Sequence, residues 1–399
     1  MSLNQKHKIA VLGADSPIGL SVIRELGQHG VSTLALGRSP SSLGHHSRYA
    51  SEFFTYREPL ADWLPGFLSA HDVAAIMAVS EGHLLQLAEL KGQLGEVRVI
   101  CPDADKLAIV LDKPRTLEIA AGIGIDVPAS WLPQMGEDFA SRAASLTFPV
   151  IAKWPDPPAI WATLELHGLP FEKIEYANNA AELLALLGRY NALKQWPLVQ
   201  TWCPGYGFGQ MLHMHRGKAT LTFQHRRLRE YPPSGGVSTF CEAVEPAAHA
   251  QQMLLSERLL AQIGWEGPAM VEYRHDPATG RYWLMEINGR FWGSIPLARH
   301  CGAHFACEYY RTQMGIEEQA PRATYRALKA RYVIPDAKQL LITLRDPNRS
   351  LRQRLGNAFR FLTDFLDPRV RYYVWSLRDP VPLLADAVGV VRKLLRRGS

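Results

Sequence analysis

No apolar run in this 399-residue chain approaches the ~18 residues of a membrane-spanning helix, which speaks against an integral helical membrane protein. Its start, Met1-Ser-Leu-Asn-Gln-Lys-His-Lys8, leads into Ile9-Ala-Val-Leu-Gly13 without a cleavable apolar stretch. The five cysteines (Cys101, Cys203, Cys241, Cys301 and Cys307) are odd in number and form no C-x-x-C pair. That pattern offers neither a zinc ribbon nor a disulfide framework, and a reduced cytoplasmic protein is the simplest expectation. The turn Gly13-Ala-Asp-Ser-Pro-Ile-Gly19 lacks the middle glycine of a dinucleotide fingerprint. No base-stacking motif or helix-turn-helix signature is present, so nucleic acid is not an expected partner.

What is present is ordinary for a soluble globular protein: 47% apolar and 21% charged residues, enough for two or three domains with real cores. The net charge of +6 is unevenly placed. Residues 321–399 carry 17 Lys and Arg against 6 Asp and Glu, so the basic character belongs to the tail. Residues 8–100 alternate short apolar runs with helical patterns, which predicts a parallel α/β sheet. Asp103 to Gly124 reads as one helix, and the tail as two amphipathic helical stretches, around Leu351–Leu366 and Val381–Leu395.

The segment from Met270 to Arg290 carries the most chemistry. It reads as two strands joined at Asp276-Pro-Ala-Thr-Gly280. Counting outward from Thr279 sets Glu272 opposite Glu286, with Asn288 two residues further along, on the same face, and Arg290 beyond it. Two facing carboxylates repel unless a cation lies between them. Hard oxygen ligands of this kind suit Mg²⁺, which takes one or two carboxylates and completes its shell with substrate phosphates. An edge hairpin with solvated charges is the alternative, against which the apolar neighbours Met270, Val271, Leu284, Met285 and Ile287 weigh.

A second informative stretch is Gln224-His-Arg-Arg-Leu-Arg-Glu230, followed by a turn ending in Gly235-Gly236. Arginine forks bind carboxylate or phosphate bidentately. Alternation along a strand would put Arg227 and Arg229 on one face and Arg226 on the other. A solvated charge run is the competing account, and Ser234–Thr239 reads as a loop over an acceptor. Phe148-Pro-Val-Ile-Ala-Lys153 is an apolar strand ending in a lysine, a point charge on a flexible stem. His300 is a candidate proton shuttle or a structural histidine.

The Glu…Glu-x-Asn-x-Arg arrangement, continued by Arg290-Phe-Trp-Gly-Ser294, resembles the ATP-grasp superfamily in its carbamoyl-phosphate-synthase-like and carboxylate–amine ligase branch. The resemblance runs from Lys8 to Gly315, about three quarters of the chain. It implies an α/β fold with mixed α+β lobes: a Rossmann-like domain over 1–104 and a small lobe with an adenine hinge over 105–202. A metal-binding lobe would follow over 203–320, then a basic helical tail over 321–399. The cofactors implied are ATP and Mg²⁺, and Mn²⁺ would satisfy the same ligands. Glu272, Glu286 and Asn288 would hold the metal and Arg290 would stabilise the transferring phosphoryl group, while the face bearing Arg227 and Arg229 would serve the γ-phosphate or an acyl phosphate. Lys113 and Lys153 would reach the ATP phosphates, and the backbone of Gln200, Thr201 and Trp202 would meet the purine edge.

The chain departs from that pattern in two places. Where a Gly-rich flap normally follows the strand lysine, it has Trp154-Pro-Asp-Pro-Pro158 and then only Gly168 within reach. Pro204-Gly-Tyr-Gly-Phe-Gly209 supplies no acid for the ribose. The expected activity is an ADP-forming ligation of a small-molecule carboxylate and amine in the cytoplasm, by a monomer or homodimer. Peripheral contact of the basic tail with a membrane or an acidic partner is a further expectation. Two other readings stay open: a nucleotide-binding regulatory or scaffold protein without turnover, and an NADP-binding oxidoreductase resting on Gly13–Gly19 and Arg38.

Overall fold

The computed structural model describes residues 8–172, 174–233, 235–316 and 325–387. The first hundred residues alternate strand and helix as their periodicity predicts. Strands β1 (Lys8–Leu12), β2 (Ser32–Gly37), β3 (Glu52–Thr55), β4 (Val73–Ala78) and β5 (Arg98–Ile100) form a parallel sheet in the order β3-β2-β1-β4-β5. Helices α1 (Pro17–Gln28), α2 (Leu60–Ala70) and α3 (Glu81–Leu90) lie between strands along the chain. β1 and β4 are near-continuous apolar runs because both of their faces are covered. Gly13 follows β1 at φ +103°, and an added Cβ there would lie 2.6 Å from Val79, so the sharp exit requires glycine.

The helix expected over Asp103–Gly124 is two helices, α4 (Ala104–Leu111) and α5 (Lys113–Gly122). Asp112 between them is extended at ψ 92°. Pro114 is the physical cause, since a proline lacks the N–H and clashes with the preceding turn.

The described chain divides into two compact units. One contains residues 120–207 and 273–286. Its strands β6 (Ser130–Trp131), β7 (Val150–Lys153), β8 (Glu175–Ala177) and β9 (Leu198–Thr201) form an antiparallel sheet in the order β6-β9-β7-β8. Helices α6 (Phe139–Ala144), α7 (Pro157–Leu166) and α8 (Ala180–Gly188) belong to this unit. Trp131, Val150, Leu183, Leu187, Tyr190 and Val199 fill its core.

The other unit holds residues 8–119, 208–272 and everything described from 287 onward. Beyond the parallel sheet it carries most of a seven-stranded sheet built from β10 (Tyr206–His215), β11 (Lys218–Tyr231), β12 (Val237–Ala243), β13 (Gly267–Asp276), β14 (Arg281–Asn288), β15 (Lys329–Arg331) and β16 (Val370–Tyr372). The order is β14-β13-β10-β11-β12-β15-β16. Helices α9 (Ala250–Ile263), α10 (Ile295–His300) and α11 (Phe305–Gln313) follow the strands, and α10 and α11 pack on α1. Leu20, Ile23, Met211, Phe223, Trp292 and Phe305 therefore share one core.

The tail was expected to be helical. Helices α12 (Val333–Arg345) and α13 (Leu351–Thr363) answer that expectation, but β15 and β16 also extend the sheet at its β12 edge. Three-residue strands are too short to display a period in the sequence. The second amphipathic stretch reaches beyond Ala387, so most of it lies outside the described residues.

Candidate active site

The hairpin predicted around Asp276–Gly280 is present. The Asp276 carbonyl accepts the Gly280 N–H at 2.8 Å, and the Asp276 carboxylate accepts from the Ala278 N–H and the Thr279 hydroxyl. Gly280 turns at φ +71°, where a side chain would be strained. β13 carries Glu272, and its neighbour β14 carries Glu286 and Asn288. Glu272 and Glu286 are half-buried and Asn288 is buried, which fits neither a fully solvated hairpin nor an apolar core. Among the described residues no cluster of three or more His, Cys, Asp and Glu side chains has metal-holding geometry. The hairpin offers two carboxylates and an amide oxygen, a set that Mg²⁺ completes with phosphates.

Arginines hold two of these groups. Arg227 donates to the Glu272 carboxylate, to Glu230 at 3.4 Å and to the Gly236 carbonyl at 3.1 Å. Its side chain is 12% exposed and that of Glu272 14%, so this ion pair is largely desolvated. Arg290 donates to Asn288 Oδ1 at 3.2 Å and to Glu81 at the start of α3 at 3.0 Å. Glu81 was not among the sequence candidates; its position directly after the Ser80 helix cap was the only signal.

Arg229 is placed differently from the expectation that it would share an anion with Arg227. The β11–β12 register shifts between Arg227 and Arg229, and Arg229 forks onto Asp336 of α12 at 2.7 and 2.8 Å. It also reaches Asp364 at 2.6 Å and lies over the Phe240 ring at 4.5 Å. Simple alternation fails here because a bulge turns the strand. Arg229 is thus an anchor between the sheet and the tail helices. The loop expected over Ser234–Thr239 is β12 from Val237 onward, and Ser234 itself lies outside the described residues.

In the smaller unit, Lys153 ends β7 opposite Leu198 of β9. Its charge acts on the thiol of Cys203, just past Trp202, which burial nonetheless pushes up to about 11. The lysine and the hinge segment are therefore brought together. The hinge amides are another matter. Thr201 N–H donates to Ala129 and Trp202 N–H to Pro149, so neither is directed at a purine. The Gln200 side chain is buried and donates to Ser130 at 2.9 Å. The segment after Lys153, where a glycine flap would lie, is helix α7. Lys113 opens α5, and its neighbours Asp112, Arg115 and Glu118 line an open polar pocket.

Two remaining expectations resolve as structure. His300 is half-buried beside the Tyr372 carbonyl at 3.3 Å, and desolvation lowers its pKa to about 3, too low for a proton shuttle at neutral pH. In the Gly13–Gly19 turn, the Asp15 carboxylate accepts the Arg38 N–H at 2.8 Å and the Ser42 hydroxyl at 2.6 Å. Ser16 caps α1 by accepting from Gly19 N–H. The turn is thus held by a carboxylate and a helix cap, while the Arg38 guanidinium, the group a 2′-phosphate would need, donates to the Tyr56 hydroxyl at 2.8 Å.

No protein-family model matches the chain, and no curated protein matches it in sequence. Solved structures do. One is the biotin carboxylase domain of 2-oxoglutarate carboxylase from Hydrogenobacter thermophilus, in complex with MgADP, ADP and bicarbonate. It is 17% identical over 80% of this chain and 72% of that one, with a TM-score of 0.61. N5-carboxyaminoimidazole synthetase from Staphylococcus aureus, complexed with ADP, is 13% identical over 80% of both chains, at 0.58. The ADP complex of N5-carboxyaminoimidazole ribonucleotide synthetase is 12% identical over 92% of this chain and 98% of that one, at 0.66. At such identities the likeness establishes the fold, and that fold is the ATP-grasp fold.

Proposed function

We propose that this ATP-grasp chain is an ATP- and Mg²⁺-dependent ligase that joins a small-molecule carboxylate to an amine and releases ADP and phosphate. The observation that carries the reading is the β13–β14 hairpin. It sets Glu272, Glu286 and Asn288 on neighbouring strands, in a fold whose solved examples include ligases complexed with ADP or MgADP. The donor set fits the ion, since all three side chains offer hard oxygens. A cation held there supplies charge neutralisation for the nucleotide phosphates.

The chain's own residues account for the rest. Lys153 and Lys113 tether phosphate oxygens. Arg290, braced by Glu81 and Asn288, faces the charge that develops on the transferring phosphoryl group. Arg227 fixes the orientation of Glu272. Arg229 positions β11 through the tail and touches no substrate. The substrate carboxylate attacks the γ-phosphorus, the bond to the ADP oxygen breaks, and the amine then displaces phosphate from the acyl phosphate and loses a proton to solvent. Cytoplasmic action as a monomer or homodimer belongs to the same reading.

A second reading is a nucleotide-binding protein without turnover. Helix α7 in place of a glycine flap and the committed amides of Thr201 and Trp202 favour it. Calorimetric titration of Mg·ATP into the wild type and a Glu286→Gln, Asn288→Ala double variant separates the two, followed by a carboxylate-plus-amine screen for ADP release. Ligation predicts Mg²⁺-dependent binding that the double variant loses, together with acid- and amine-dependent ADP. Tight binding with no ADP from any pair supports the second reading. Absence of millimolar binding overturns both.

A further inference from the structure

Helix α13 has two apolar faces, and the described residues cover only one of them. Phe361 and, just past the helix, Phe365 sandwich the buried Arg331 guanidinium at 4.0 and 4.2 Å. That contact, with the α12–α13 packing, seats the helix on the body. The other face carries Leu351, Leu355, Phe359 and Leu362, with Leu366 one turn further on. These five side chains are between 60% and 82% exposed. At about 100° per residue they fall within roughly 80° of one another, a single stripe and not a scatter.

The stripe is set among cations. From Arg345 to Asp367, the span that holds the stripe, there are five arginines (Arg345, Arg349, Arg352, Arg354 and Arg360) and three acids, Asp346, Asp364 and Asp367, which are paired with Arg349, Arg229 and Lys329. Arg352 and Arg360 are exposed, with Arg352 next to the stripe on the helical wheel. The helix is firmly built at its start: Ser350 and Gln353 form a reciprocal capping box. A rigid, capped helix with leucines and a phenylalanine on one side, Arg352 at their border and Arg360 on the far face has the form that lies in the plane of a lipid interface.

We propose that α13 docks this protein on an anionic lipid surface, with the Leu351–Leu366 stripe entering the acyl boundary and the arginines meeting headgroup charge. Charge complementarity selects this occupant. A second copy laid on the same stripe would bring arginine against arginine, whereas an anionic bilayer supplies both an apolar phase and the opposite charge. The inference is independent of the ligase reading.

The test is flotation of the full chain with vesicles of phosphatidylcholine containing phosphatidylserine at roughly one part in three. Binding is expected to these vesicles, to be weaker on pure phosphatidylcholine, and to fall as salt rises. A Leu355→Glu, Phe359→Glu variant, with circular dichroism confirming its fold, should lose about tenfold or more in partitioning. A Phe359→Trp variant keeps the stripe apolar, and its emission should shift to the blue only when phosphatidylserine vesicles are added. Equal flotation of wild type and the glutamate variant overturns the proposal, as does no flotation at all. So does a dimer in sedimentation velocity that the glutamate variant abolishes, which would assign the stripe to a second copy. Emission already blue-shifted without vesicles would assign it to the chain's own residues. Displacement from vesicles by polyglutamate at every salt concentration would point to an acidic protein instead.

Discussion

Arg227 and Arg229 lie two residues apart on β11, yet they meet opposite kinds of surroundings. Arg229 joins Arg331, Asp336 and Asp364 in a set of two cations and two anions. Asp336 and Arg331 are fully buried, and the rings of Phe240, Phe361 and Phe365 cover the guanidinium groups. Arg227 is shared between two carboxylates, Glu230 and Glu272, on the side of the sheet where the hairpin begins. A balanced, enclosed set of charges holds pieces of a fold together. One arginine shared by two half-buried carboxylates is instead the setting in which the proposed cation would be held. Under the proposed function the hairpin end of the sheet is machinery and the enclosed end is scaffold, and that contrast can be broken from either end.

The largest effect is expected at the scaffold end. Asp336→Ala leaves Arg331 buried without its carboxylate, and removing one partner of a buried pair costs about 3–5 kcal/mol. Urea unfolding monitored by tryptophan fluorescence should show that loss, and a change below about 1 kcal/mol would demote the network to decoration. At the other end, Glu286→Gln should reduce substrate-dependent ADP release by about 10²–10³-fold, the usual cost of removing one preorganised electrostatic group. Its urea midpoint should stay at the wild-type value. Near-normal turnover would end the metal assignment.

How much of this was readable from the chain alone follows the range of the interactions. The hairpin was legible because turn chemistry at Asp276–Gly280 and a period of two are local signals. The parallel sheet was legible for the same reason. Arg229 was not, because its partners Asp336 and Asp364 lie 107 and 135 residues away. The bulge that redirects it has no signature in Arg226-Arg-Leu-Arg229. The hinge strand β9 was readable as a strand, but whether the Thr201 and Trp202 amides face a ligand or a neighbour depended on the carbonyls of Ala129 and Pro149, far back along the chain. In α13 the periodicity was plain, while the choice of which stripe is buried was made by Arg331 on another element.

A third prediction probes the scaffold by pH. Glu25 on α1 is fully buried, accepting the Cys307 N–H at 2.9 Å, and burial raises its pKa from 4.5 to about 7. Between those values the folded protein binds a proton that the unfolded chain releases. Its contribution is therefore present below about pH 4.5 and lost as pH rises through about 7. The Glu25 contribution, read as the wild-type stability minus that of Glu25→Gln at each pH, should fall across that window by an amount on the order of 3 kcal/mol, while desolvated histidines such as His300 act with the opposite sign in both proteins. In Glu25→Gln the slope from this group should vanish. Parallel pH profiles for the two proteins would show that Glu25 does not titrate in this range.

The smallest effect sharpens the comparison most directly, because one substitution is made at both arginines. Lysine keeps the charge but loses the planar fork. At Arg229 the fork is used in full, with two parallel bonds to Asp336 and a third to Asp364. Arg229→Lys should cost about 1–2 kcal/mol of stability and leave kcat/KM unchanged. At Arg227 the fork spans Glu272, Glu230 and the Gly236 carbonyl, so a lysine would hold one carboxylate and release another. Arg227→Lys should lower kcat/KM for ADP release about tenfold with little change in the urea midpoint. The two variants should separate cleanly on two axes. If both fall on the stability axis, Arg227 is scaffold as well, and Glu272 is held for the fold and not for a cation.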